Sequence, residues 1–137
     1  MQRVAGVVPA LERLRQQHVP SMMALTKMTN PGPFYERTIE FGNYYGVFHE
    51  GQLAAMAGQR MHAGPYIEIS AVCTHPDHHG KGYATALIEQ LIKVIRAQEG
   101  IPFLHVRADN TRAIALYKAL GFLTRHEMTI NILRKKA

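Results

Sequence analysis

The chain has 137 residues, 47% of them hydrophobic, and a formal net charge of +6 from 16 Lys and Arg against 10 Asp and Glu. That length suits one domain, residues 1–137, with a sizeable core. The basic balance favours anionic ligands without choosing between nucleic acid and a phosphorylated cofactor. The basic residues are scattered, which argues against a nucleic-acid surface. A lone cysteine, Cys73, excludes an intrachain disulfide and agrees with a reducing, cytoplasmic setting. No apolar run reaches the roughly 18 residues of a membrane span, and the apolar stretch after Met1 is too short for a signal peptide.

In chain order, residues 3–8 read as a short strand and Leu11 to Gln17 as a helical piece. Pro20 suits the first turn of a second helix running to about Met28. Met22, Met23, Leu25 and Met28 lie along it, a face that fills a core or lines an adaptable site. Asn30-Pro31-Gly32-Pro33 breaks the chain, and Phe34 to Glu40 reads as a short helix or irregular turn. From Tyr44 the pattern is that of strands. Tyr44 to Phe48 is aromatic and β-branched, Glu50-Gly51 is a hairpin turn, Leu53 to about His62 returns, Gly64-Pro65 turns again, and Tyr66 to Thr74 is a third strand.

Ala84, Leu87, Ile88, Leu91, Ile92, Val94 and Ile95 then recur at helical spacing, with Gly100 closing the helix. Ile101 to Val106 is a strand. Asp109-Asn110 caps a helix from Thr111 to Leu120, which Gly121 ends. Phe122 to about Leu133 reads as one final strand. The helix between the strands at 66–74 and 101–106 makes those two parallel. The expected α/β fold is a mixed, mostly antiparallel sheet with a central parallel strand pair, flanked by helices. An exposed final strand would offer an edge for a homodimer.

Two stretches carry candidate chemistry. In the first, Glu68 to Ala84, a strand runs through Val72, Cys73 and Thr74 into a loop with Gly80-Lys81-Gly82, and a helix opens at Tyr83-Ala84-Thr85. Backbone N–H groups at such a helix start converge on one point, where a phosphate would rest. The glycines alone also read as a tight turn, and the spacing is not that of a Walker loop. In the second, Asn110 and Tyr117 stand seven residues apart on one helix face, separated by about 10 Å. A phenol there can protonate a departing thiolate, or serve as a core aromatic. Cys73 in an apolar strand reads as inert rather than nucleophilic. His75, His78 and His79 crowd one turn, a poor arrangement for a metal.

Together the two stretches resemble the GNAT superfamily of acetyl-CoA-dependent N-acyltransferases, most clearly over residues 44–133. Ala71-Val72-Cys73-Thr74 and His79-Gly-Lys-Gly-Tyr-Ala84 are similar to its cofactor motif, and Asn110 to Gly121-Phe122 to its next motif. His79 stands where the family usually carries Gln or Arg. The resemblance implies acetyl-CoA as cosubstrate, with pyrophosphate on the N–H groups of His79, Gly80, Lys81, Gly82, Tyr83, Ala84 and Thr85. It implies the pantetheine arm along Val72 to Thr74, an oxyanion held by the N–H near Cys73, and Asn110 contacting the arm or fixing the loop. Tyr117 would be the general acid and Glu68 the general base. The acceptor would be a small-molecule or peptide amine, with no metal and neither nucleic acid nor membrane as partner. The alternative is a non-catalytic acyl-CoA-binding or regulatory module.

Overall fold

The computed structural model describes residues 9–29, 31, 34–126 and 130–134, so the strand read at residues 3–8 lies outside it. The stretch that reads as helical, Leu11 to Gln17, is instead a two-residue strand, β1 (Glu12–Arg13), followed by a 3-10 turn at Gln16–His18. The reason is an edge that captures it. Glu12 and Arg13 pair with Gly46 and Tyr45, and the buried Leu14 donates its N–H to the Tyr44 carbonyl and sits over the side-chain-free Gly46. Helix α1 (Val19–Thr29) follows with Pro20 in its first turn, and Phe34 to Glu40 is a turn leading into a 3-10 segment, Thr38–Phe41.

Strands β2 (Tyr44–His49), β3 (Gln52–Ala63) and β4 (Tyr66–Thr74) form the expected meander. Glu50 and Gly51 both take positive φ in the β2–β3 hairpin, as a right-twisted two-residue turn requires. Helix α2 (Tyr83–Ala97) crosses to β5 (Ile101–Val106), which pairs parallel with β4. Glu99, at φ 59°, takes the left-handed position after α2. Gly100 is needed for packing instead, since a Cβ there would lie 2.7 Å from Ile67 Cδ1. Helix α3 (Thr111–Ala119) is capped by Asn110, whose side chain accepts from the Ala113 N–H.

The segment that reads as one final strand is two, β6 (Phe122–His126) and β7 (Ile130–Arg134), folded into a hairpin. The sheet order is β1-β2-β3-β4-β5-β7-β6. The last strand is therefore interior, and the free edge on that side is β6. β7 pairs with β5 from Phe103 onward, which is why Pro102, lacking an N–H, is tolerated between two strands.

The meander strands alternate between two cores. Ala55, Ala57, Ile67 and Ile69 meet Leu87, Ile88, Leu91 and Ile95 of α2, together with Tyr117 and Phe122. Met56 and Tyr44 meet Met22 and Leu25 of α1 on the other face. Each fully buried aliphatic side chain on α2 contributes about 1.5–3 kcal/mol.

β4 breaks the alternation. Met56 pairs with Cys73 and Gly58 with Ser70, so Ala71 and Val72 together oppose one residue of β3. Ala71 takes φ 55° at this bulge. Before it Ile67 and Ile69 face α2, and after it Ala71 and Cys73 join the α1 core while Val72 packs toward α2. Pairing of β4 with β5 spans only Tyr66–Ile101, Ile67–Pro102 and Glu68–Phe103. Beyond Glu68 the two strands part.

Gly58 lies directly opposite Tyr44, and a Cβ added there would overlap atoms of the Tyr44 ring. Gly58→Ala is expected to cost about 1–3 kcal/mol through overpacking. A lowered urea midpoint at constant m-value would show it, and an unchanged midpoint would mean that the ring has room to move.

Candidate active site

The parting of β4 and β5 opens a cleft of about 840 Å³. The C-terminal half of β4 forms one wall and the end of β5 another, with Met28, Thr29 and Pro31 closing one side and Asn110 and Tyr117 the other. Seven residues singled out in the sequence line it together: Glu68, Val72, Cys73, Thr74, His79, Asn110 and Tyr117. The rest of the loop, Gly80 to Thr85, continues from His79 without lining the cleft.

Backbone geometry in that loop is demanding. Gly80 and Gly82 both have φ 79°, with open space where a Cβ would be, so conformation rather than packing calls for glycine. Two left-handed residues so close together turn successive N–H groups toward one side. At the start of α2 the N–H groups of Tyr83 and Ala84 have no intrahelical acceptor, by helix geometry.

The side chains of the loop are tied locally. His79 is exposed, and its Nε2 donates to the Thr74 carbonyl at 3.2 Å. Lys81 Nζ donates to His78 Nδ1 at 2.9 Å. His78 is packed among His49, His75 and Tyr83, at ring separations of 4.7, 5.7 and 6.2 Å. Burial, and then the Lys81 ammonium, hold the His78 pKa below its usual value. Neutral His78 is the form that can accept from Lys81. Among the described residues no group of His, Cys, Asp and Glu has a metal-holding arrangement.

Tyr117 is buried beside Phe122, ring centroids 6.1 Å apart. Burial pushes its phenol up to about 12, so it carries its proton throughout the neutral range. Cys73 is buried, which pushes its thiol up to about 11 against a lesser opposite effect of the Thr29 hydroxyl. A thiol so protonated is a poor nucleophile.

Glu68 is 6% exposed, a carboxylate at the floor of the cleft. Its Oε2 accepts from His105 Nδ1 at 2.7 Å, and its Oε1 is buried with no hydrogen-bond partner among the described residues. The His105 side chain is 42% exposed, so with Nδ1 donating, Nε2 is the nitrogen left to meet a ligand. Such a carboxylate–imidazole pair fixes both tautomer and ring orientation. Sequence reasoning passed over His105. The signal was present in the parallel register: Glu68 pairs with Phe103, and His105 lies two residues further on the same face, opposite to Leu104 and Val106. Arg60, on β3, also lines the cleft and was likewise passed over.

The model of the FR47-like protein family matches residues 44–130. The N-alpha-acetyltransferase RimI of Mycobacterium tuberculosis is 32% identical over 83 residues, covering 58% of this chain and 51% of that protein. A solved structure from Novosphingobium aromaticivorans, assigned to the GNAT family of acetyltransferases, superposes with TM-score 0.84 at 42% identity. It covers 96% of this chain, which spans 59% of its length. PaiA N-acetyltransferase from Thermoplasma acidophilum, solved in complex with coenzyme A, has the same fold at TM-score 0.75 and 14% identity, covering 95% of this chain and all of that one. The chain thus spans about half the length of the curated relative and somewhat more of the Novosphingobium protein.

Tyr44, Tyr117 and Cys73 hold their protons more tightly folded than unfolded, at about 12, 12 and 11 against 10.0, 10.0 and 9.0. The stability they contribute is complete below the unfolded values and is lost as pH rises through the folded ones. Urea midpoints are expected to fall progressively above about pH 9, and a Tyr117→Phe variant should lose less of its own stability over that range. A level profile would contradict the burial of these groups.

Proposed function

Because the chain belongs to the FR47-like family of the GNAT superfamily of N-acetyltransferases, we propose that it moves an acetyl group from acetyl-CoA directly to a primary amine. The observation that carries this reading is the cleft where β4 leaves β5. A carboxylate–imidazole pair stands at one end, a protonated buried tyrosine lines its α3 side, and an unladdered strand edge lies between.

The geometry supports a division of labour. The pyrophosphate of acetyl-CoA rests on the N–H groups of the loop from His79 to Thr85, where two left-handed glycines and a helix start meet. The pantetheine arm pairs with the β4 edge at Val72 to Thr74, in the manner of an added strand. Asn110 caps α3 with its side chain and lines the cleft, which suits it to holding the helix start against the arm. The bulge at Ala71 re-aims the backbone beyond it, so that the N–H near Cys73 can meet the thioester oxygen.

An ammonium acceptor must lose a proton before attack, and the Glu68–His105 pair takes it and passes it to solvent. The freed nitrogen lone pair then forms the C–N bond at the thioester carbon. As the tetrahedral intermediate collapses the C–S bond breaks, and Tyr117 gives its proton to the departing thiolate. The second proton leaving nitrogen restores the phenol, directly or through solvent. The products are an amide, free coenzyme A thiol and one proton released.

Tyr117→Phe is expected to lower the single-turnover rate about tenfold or more with little change in acetyl-CoA affinity. Wild-type turnover in that variant would remove the assigned role. Glu68→Gln and His105→Gln should each flatten the acidic limb of the kcat/KM profile. If only the first does so, Glu68 acts without His105. Binding of acetyl-CoA with no thiol release for any amine would favour the non-catalytic module.

A further inference from the structure

We infer that the acceptor is an amine carrying an anionic group, a carboxylate or a phosphate, within a few bonds of its nitrogen, and that Arg60 holds that group. This rests on the acetyltransferase reading and adds the acceptor's chemistry to it. Arg60 lies across the β3–β4 ladder from Glu68, between the Gln59–Ile69 and His62–Ile67 pairs, and both line the cleft. His105 follows on the next strand, so three neighbouring strands bring a guanidinium, a carboxylate and an imidazole to one cleft.

The opposite charges of this cleft are not paired with one another. Among the described residues that line it Glu68 is the only carboxylate, and it is engaged by His105 at 2.7 Å rather than by Arg60. The other cleft arginine, Arg107, is held in a fork by Asp109 at 3.1 and 3.2 Å. Arg60 is half-buried and has no ion-pair or hydrogen-bond partner among the described residues. Its charge and that of Glu68 both act on the buried Tyr44 phenol, the first lowering and the second raising its pKa, so all three groups face one region. A half-buried guanidinium that lines a cleft offers two parallel donors, which a carboxylate or phosphate can accept in a bidentate fork.

The second, independent feature is Glu68 Oε1, buried at the same cleft with its acceptor capacity unused. An ammonium is the complementary donor. Strands are spaced about 4.8 Å apart, so an ammonium on Glu68 and an anion on Arg60 belong to one small molecule with both charges close together. Met28 and Pro31 line the cleft on the α1 side, with the Thr29 hydroxyl donated to the Leu25 carbonyl, which suits a short carbon skeleton.

The test uses the full chain, acetyl-CoA and matched amine pairs: an α-amino acid with its amide, and an aminoalkyl phosphate with its amino alcohol. The charged member of at least one pair is expected to have kcat/KM roughly ten- to hundredfold higher, and which pair does so tells carboxylate from phosphate. In Arg60→Gln that preference should vanish, and Arg60→Lys should keep part of it. Equal use of charged and neutral members, a parallel fall of both in Arg60→Gln, or better use of peptide amines with no nearby anion overturns the inference alone. Absence of thiol release with every amine overturns the acetyltransferase reading and this inference with it.

Discussion

The rest of the site depends on the place where two parallel strands stop pairing. β4 and β5 share only the three pairs that end at Glu68–Phe103, and the bulge at Ala71 then bends β4 away. Continued pairing would fill the cleft with ladder hydrogen bonds and leave no edge for a substrate arm. A left-handed alanine costs on the order of 1–3 kcal/mol. It persists because both cores hold it, with Ile69 before the bulge packed toward α2 and Cys73 after it packed toward α1. The strain is stored in the backbone that lines the cleft.

The same parting explains the electrostatics. At the last paired residue, Glu68, the sheet is still closed enough to bury a carboxylate, yet the next strand is already open enough to leave His105 half exposed. A buried carboxylate with one oxygen satisfied and one orphaned is costly unless a donor arrives. Arg60, one strand away and half-buried, lines the same cleft without a partner among the described residues. Tyr117 lines the cleft from α3, on the other core, where burial keeps its proton in place. The carboxylate–imidazole pair and the buried phenol thus belong to opposite faces of one sheet and share a cleft only because the sheet splits between them.

Most elements were legible because they satisfy local rules. The α2 stripe, the Glu50-Gly51 hairpin, the Asn110 cap and the Gly121 stop each follow from period, φ or capping chemistry within a few residues. The failures share a cause. Leu11 to Gln17 has helical spacing, but an available strand edge and the space above Gly46 drew Leu14 into the sheet. Phe122 to Leu133 looks continuous, but β7 inserts between β5 and β6, a choice that only the β5 edge dictates. Gly100 reads as a helix stop, while the stop is Glu99 and the glycine makes room for Ile67.

For the site, the sequence by itself determined the parts whose chemistry is local. These are the two glycines that must be left-handed, the helix start behind them, the Asn110 to Tyr117 spacing, and a glutamate on the strand before the loop. Each depends on residues within about two helical turns of one another. Tertiary structure alone decided what lies across strands: that β4 bulges and leaves β5, that His105 rather than bulk solvent meets Glu68, and that Arg60 shares their cleft. Those relations depend on register between strands far apart in the chain. A shift of one residue in that register would send His105 to the opposite face.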